Sequence, residues 1–118
     1  MNSKELENRL KSLAYRFVNV CDALPKKKIS KVIEDQILRS SFSAAANYRS
    51  ACKAISKKAF VSKLSIAFGE AGETLFGAEV ILEIQLIPVE KLSAIIKEAT
   101  ELASILAAAR KTAQASLK

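Results

Sequence analysis

Six cations, Arg39, Arg49, Lys53, Lys57, Lys58 and Lys63, fall in residues 36–69, a stretch without Asp or Glu, so about +6 of the formal net charge of +7 lies there. Lysine and arginine gathered in this way, with no acid among them, hold anions, and nucleic acid is the commonest anionic partner of a basic protein. Position sharpens the reading. Lys53, Arg110 and Lys111 sit where helices should end, and there a cation merely offsets the helix dipole. Lys57 and Lys58 follow Ser56, a natural N-cap, and so belong to the first turn of a helix. The dipole disfavours cations at that end, whereas free amide N–H groups beside two lysines suit a phosphate.

Other chemistries find little support. The chain has no histidine, the commonest general base and the usual zinc ligand. Glu70 with Glu73, and Glu79 with Glu83, share helix faces, but the Glu-x-x-His pairs of two-metal bundles are missing. Ser40, Ser41 and Ser43 have no base nearby in sequence, and there is no glycine-rich phosphate loop. An enzyme is the class the residues support least, and no cofactor is expected. Single-strand binders stack bases on exposed rings. The rings beside these cations are Tyr48, next to Arg49, and Phe60, near Lys57 and Lys58; both fall on apolar stripes and are expected in the core. The charges therefore favour backbone contacts without sequence readout.

The elements that must position these residues are helices. Leu6, Leu10, Leu13, Phe17, Val20 and Leu24 are spaced 4, 3, 4, 3, 4, an unbroken helical stripe. A second row, Ala14, Val18 and Cys21, widens that face and suggests a subunit contact. Pro25 ends the helix and Lys26, Lys27 and Lys28 connect it to the next, with Ser30 as the expected cap and Glu34 and Asp35 near the dipole's positive end. Helix two carries Ile33, Ile37, Ala44, Tyr48, Ala51 and Ile55, with small residues at its centre that let a neighbour approach closely. Helix three has the stripe Phe60, Leu64, Ala67, Ala71, Leu75, Ala78 and Leu82 and contains all three glycines, Gly69, Gly72 and Gly77. One continuous helix with a close contact is expected there. Pro88 opens helix four, marked by Leu92, Ile95, Ile96, Ala99, Leu102, Leu106, Ala109 and Ala113, which frays after Lys111.

The expected fold is all-α, a single domain over 1–118 with helices at about 4–24, 30–55, 57–86 and 89–112 in an antiparallel up-down-up-down bundle. No signal-like block or membrane-length apolar run stands out, so the expected location is the cytoplasm with no membrane partner. Cys21 and Cys52, far apart and without metal or redox spacing, read as small buried thiols. In this topology one pole gathers Lys4, Arg9, Lys11, Arg49, Lys53, Lys57, Lys58, Lys63, Arg110, Lys111 and Lys118 against Glu5 and Glu7. The opposite pole mixes Asp22, Glu34, Asp35, Glu79, Glu83 and Glu90 with Lys26, Lys27, Lys28, Lys31 and Lys91.

Four segments together are distinctive. They are Gln36-Ile-Leu-Arg39-Ser-Ser, Ala46-Asn47-Tyr48-Arg49-x-Ala51-Cys52-x-Ala54-x-Ser56-Lys57, Phe60-x-x-Lys63-Leu64 and Glu70-Ala71-x-Glu73-Thr74-Leu75. Over residues 13–113 the chain resembles the bacterial four-helix-bundle family named after proteins encoded in intervening sequences of large-subunit ribosomal RNA genes. The resemblance implies a bundle that assembles into a homopentameric ring. The family is similar to the accessory subunit of diversity-generating retroelements, a basic pentameric barrel that binds nucleic acid and a reverse transcriptase. Two acidic positions of relatives are here Gly69 and Gly72, and an aromatic common after Phe76 is here Gly77. The resulting expectation is a non-enzymatic oligomer that binds RNA or DNA backbone through Arg49, Lys53, Lys57, Lys58 and Lys63, as an adaptor for a nucleic-acid enzyme. The alternative is a structural or protein-interaction module whose charge keeps it soluble.

Overall fold

The computed structural model describes residues 1–117 and, among them, four long helices and no strand: α1 (Ser3–Ala23), α2 (Lys28–Cys52), α3 (Lys57–Glu83) and α4 (Ser93–Ala115), with a 3-10 turn at Val89–Lys91 before α4. The molecule measures 48 × 22 × 21 Å. The 27 residues of α3 alone span about 40 Å at 1.5 Å per residue, so the helices lie along one axis and share one core. No helix is long and apolar enough to cross a membrane.

α1 forms as its stripe requires. Asn2 Oδ1 accepts the Glu5 N–H at 2.8 Å, and every stripe residue from Leu6 to Leu24 is buried. Of the second row, Ala14 and Cys21 are buried within this chain and Val18 is half-buried.

α2 begins and ends earlier than its sequence suggests. The Lys27 N–H bonds the Pro25 carbonyl at 2.9 Å, and the helix starts at Lys28, so Ser30 lies inside the helix and caps nothing. Its hydroxyl is buried without a partner. At the other end Lys53 leaves helical geometry, and Ile55, expected on the buried stripe, is 99% exposed in the turn. Cys52 closes the helix on its outer side and is exposed, against the expectation of a buried thiol. Cys21 is buried, and loss of solvent, with Glu34 and Asp22 nearby, pushes its thiol up to about 11.

The centre of α2 meets α3 in the most extensive helix contact of the molecule. Ser40 Oγ and Thr74 Oγ1, both buried, hydrogen-bond at 2.7 Å, and Thr74 Oγ1 donates to the Glu70 carbonyl at 2.9 Å. One turn away Gln36 Nε2 donates to the Glu73 carbonyl at 2.7 Å. Outside, Arg39 reaches Glu70 at 2.9 Å and Glu73 at 3.1 Å. As numbers rise along α2 they fall along α3, with Ile37 beside Gly77 and Ser40 beside Thr74. These two helices therefore run in opposite directions.

The glycines of α3 separate into two kinds. A Cβ at Gly77 would strike Gln36 Oε1 and lie 2.6 Å from Ile37 Cγ1, and Ile37 is wholly buried. Around Gly69 and Gly72 a Cβ would meet nothing within 4 Å. The helix is continuous, with its close contact at Gly77 only. Its buried line also departs from a simple stripe: after Ala71 it passes through Thr74, Gly77, Ala78 and Ile81, while Leu75 and Leu82 are half-buried. The reason is that α3 packs against both α2 and α4 and must cover two neighbours.

α3 ends in a Schellman turn. Gln85 takes φ 57°, its N–H bonds the Leu82 carbonyl, and the Leu86 N–H bonds the Ile81 carbonyl at 3.1 Å. Pro88 then precedes the 3-10 turn rather than opening α4 directly. α4 continues to Ala115, beyond the expected fraying point. Alanine's high helix propensity and the packing of Ala109 and Ala113 on the core sustain that last turn.

Gly77→Ala should destabilise the protein by about 1–3 kcal/mol, since overpacking against Ile37 outweighs the gain in helix propensity of about 1 kcal/mol. Gly69→Ala and Gly72→Ala, made where space is open, should stabilise it by up to about 1 kcal/mol each. Urea denaturation of the three variants tests both signs.

Candidate nucleic-acid interface

The five cations expected to bind an anion, Arg49, Lys53, Lys57, Lys58 and Lys63, are all exposed. None makes an ion pair with a described residue; the described pairs use Lys4, Arg9, Lys31 and Arg39. They surround the turn between α2 and α3, which packs beside the start of α1 and the end of α4. Ser3, Tyr48, Cys52 and Lys57 share one surface depression, and Lys57, Thr112 and Ser116 share another.

The structure groups these residues unequally. Arg49 and Lys53 line a groove of about 420 Å³ between α1 and α2, together with Lys4, Lys11 and Glu7. Lys57 stands at the edge of the turn, in the first turn of α3. Lys58 and Lys63, five residues apart, project about 140° from one another around the helix and do not share a face. At the α3 start Ser56 Oγ accepts the Ala59 N–H at 3.1 Å, the cap its sequence suggests. The Lys57 and Lys58 amides precede any intrahelical acceptor and are left at the helix end.

The wider basic pole is smaller than the charges alone indicate. Arg9 is held by α4: its Nε and Nη2 grip Glu98 at 3.0 and 2.7 Å, and Nη2 also lies 3.2 Å from Glu101. The paired guanidinium holds the Glu98 carboxyl below the usual carboxylate range, and Arg9 itself is shifted upward by the same hydrogen bond. Lys4 pairs with Glu7 at 3.6 Å. Arg110 donates to Ser65 Oγ at 2.9 Å and lies 5.6 Å over the Phe68 ring. Lys118 lies outside the described residues. The described cations at this end left without a carboxylate are Lys11, Lys111 and the five above, together with Arg110, which is held by Ser65 and Phe68 instead.

The rings are also sorted. Tyr48 is buried and Phe60 packs half-buried against the core, as their stripes imply. Burial raises the Tyr48 hydroxyl pKa, as does the neighbouring Cys52 thiol. The exposed rings near the cations are others: Tyr15 on α1 and Phe42 on α2, 54% and 43% exposed, in edge contact at 6.1 Å between centroids across the same groove as Arg49 and Lys53. Their positions off the apolar stripes, Tyr15 between Ala14 and Arg16 and Phe42 between Ser41 and Ser43, were the available signal in sequence.

The family model for the 23S rRNA-intervening sequence protein matches residues 5–108, most of the chain. The chain belongs to that family. It is also similar to a protein of unknown function from the S23 ribosomal protein family of Bacteroides thetaiotaomicron VPI-5482, known from a crystal structure at 1.70 Å resolution. The two are 32% identical and superpose with a TM-score of 0.83, over 94% of this chain and 99% of that one. No curated protein matches this chain. Membership in the 23S rRNA-intervening sequence protein family gives meaning to the motif residues quoted above. Gln36, Arg39, Ser40, Glu70, Glu73 and Thr74 join α2 to α3, so much of the resemblance lies in packing. Arg49, Lys57 and Lys63 are the motif cations turned to solvent without an ion pair to a described residue.

The Arg9–Glu98 pair gives a pH test. Because the folded-state pKa of Glu98 is depressed, its contribution to stability is full above the unfolded value of about 4.3 and is lost as pH falls through the lower folded value. Glu98→Gln should lower stability at pH 7 and flatten the acid limb of the stability profile, measured as urea midpoints between pH 7 and pH 3.

Proposed function

We propose that this protein is a non-enzymatic homo-oligomer, a pentamer of up-down-up-down bundles, that binds RNA or DNA backbone in the cytoplasm and serves as an adaptor for a nucleic-acid enzyme such as a reverse transcriptase. The observation that carries the reading is the set of exposed cations around the α2–α3 turn, Arg49, Lys53, Lys57, Lys58 and Lys63, without a described carboxylate partner. Surface lysines balanced by acids would point to solubility. Here Glu7 is engaged with Lys4, and Glu98 and Glu101 with Arg9, which leaves Glu5 as the acid of this end without a described cation. What remains is positive charge next to a helix N-terminus, a combination suited to phosphate oxygens.

Two further points support the reading. The family takes its name from an intervening sequence of 23S ribosomal RNA, and the resemblance carried by the sequence motifs implies a likeness of that family to the basic, nucleic-acid-binding accessory subunit of retroelements. Ring assembly would present the cations five times, and linked weak sites gain strongly in avidity. For the oligomer itself, apolar side chains remain outside the core: Phe76 is 65% exposed, and Ile66 and Val32 are also exposed.

Filter binding to single- and double-stranded RNA and DNA over a salt series tests the function. Log affinity should fall linearly with log salt, with a slope of about −0.7 to −0.9 per phosphate contacted. Lys57→Glu combined with Lys58→Glu should abolish the binding with helicity and oligomer mass unchanged. Absence of binding by the unaltered protein at low salt would favour an interaction module instead. Light scattering checks the assembly, for which a mass five times the 12.8 kDa chain is expected.

A further inference from the structure

Between α1 and α2 lies a groove whose two ends differ in chemistry. One end carries Lys11, Arg49 and Lys53, with no carboxylate partner among the described residues. At the other end Tyr15 and Phe42 stand exposed, at 6.1 Å and 62° to one another. Ala14, Ala45 and Ala46 form the floor, which keeps the groove open for about 420 Å³. From Phe42 to Lys53 the helix rises about 16 Å, enough for a few nucleotides.

Cations alone would serve any polyanion, and exposed rings alone would serve an apolar partner. Their adjacency is specific to a ligand that alternates phosphates with flat aromatic faces accessible to stacking. In a duplex those faces are covered by neighbouring bases, whereas in a single strand they are free. Charge complementarity sets an acidic ligand here, since Glu7 is the one acid lining the groove and is paired with Lys4 at 3.6 Å.

We infer that the α1–α2 groove is a single-strand subsite, in which bases stack on Tyr15 and Phe42 while the sugar-phosphate chain runs along Lys11, Arg49 and Lys53. This rests on the nucleic-acid reading above and adds to it the form of nucleic acid and the side chains that select it. Ring-to-base stacking is tolerant of sequence, so the subsite discriminates strand state and not base identity.

The test compares fluorescence anisotropy of labelled oligo-U, oligo-dT and a duplex of equal length with the full-length protein and three variants. Tyr15→Ala and Phe42→Ala should each weaken single-strand binding about tenfold, leave duplex binding and the salt slope unchanged, and keep the oligomer mass. Tyr15→Phe keeps the ring and should keep the affinity. With two tyrosines and no tryptophan in the chain, and Tyr48 buried, oligo-U should quench tyrosine emission in the unaltered protein and not in Tyr15→Phe. If single strands bind but neither alanine variant weakens them, the subsite is overturned while the broader function stands. If no polynucleotide binds at all, both fall. A change of oligomer mass in Tyr15→Ala or Phe42→Ala would make the groove a contact between copies and overturn the subsite as well.

Discussion

Close approach of α2 to α3 is the constraint on which the rest of the structure depends. At the crossing, side chains must be small or absent: Ser40 and Ala44 on one side, Gly77 on the other, with Ile37 filling the space a Cβ at position 77 would take. The price of this proximity is a buried pair of hydroxyls, which stay stable because Ser40 and Thr74 satisfy each other and the backbone. Held this way, α3 has α4 on its other flank, which explains its double line of buried residues. The short turn of residues 53–56 then leaves Arg49 and Lys53 on one side and Lys57 on the other.

Electrostatics divides the basic residues into two populations. Arg9, Arg39 and Arg110 are tied across helices to Glu98, to Glu70 and Glu73, and to Ser65, and the planar guanidinium suits such bridging. The described cations left in solvent without an ion-paired acid are mostly lysines, joined by Arg16 and Arg49. Net charge therefore overstates the free cationic surface, because several arginines act as fasteners. At the end that holds the α2–α3 turn, the unpaired cations lie around that turn and along the α1–α2 groove, with Lys111 on α4.

Much of the fold was legible in the sequence. Four helices, the full stripe of α1, the Ser56 cap and the continuity of α3 follow from periodicity and capping chemistry. What escaped depends on neighbours that one-dimensional patterns do not contain. Ser30 looks like a cap, yet the turn at Pro25–Lys27 starts the helix before it. Ile55 and Cys52 continue a pattern that ends because the backbone turns. Of the candidate site, the five cations are exposed. The capture of Arg9 by α4 and the meeting of Tyr15 with Phe42 needed helices distant in sequence to come together.

The α2–α3 contact also bears on the order in which the molecule assembles and loosens. Its fastenings join residues only 31 to 37 positions apart, across a very short turn, so this hairpin closes at small entropic cost and forms readily. α1 meets α2 and, much less extensively, α4, so its docking rests largely on one neighbour. The groove walled by Tyr15 and Phe42 exists only while α1 is docked. Occupancy of that groove and the docking of α1 are thus one linked equilibrium: a ligand seated there slows hydrogen exchange along the N-terminal helix, at residues it never touches.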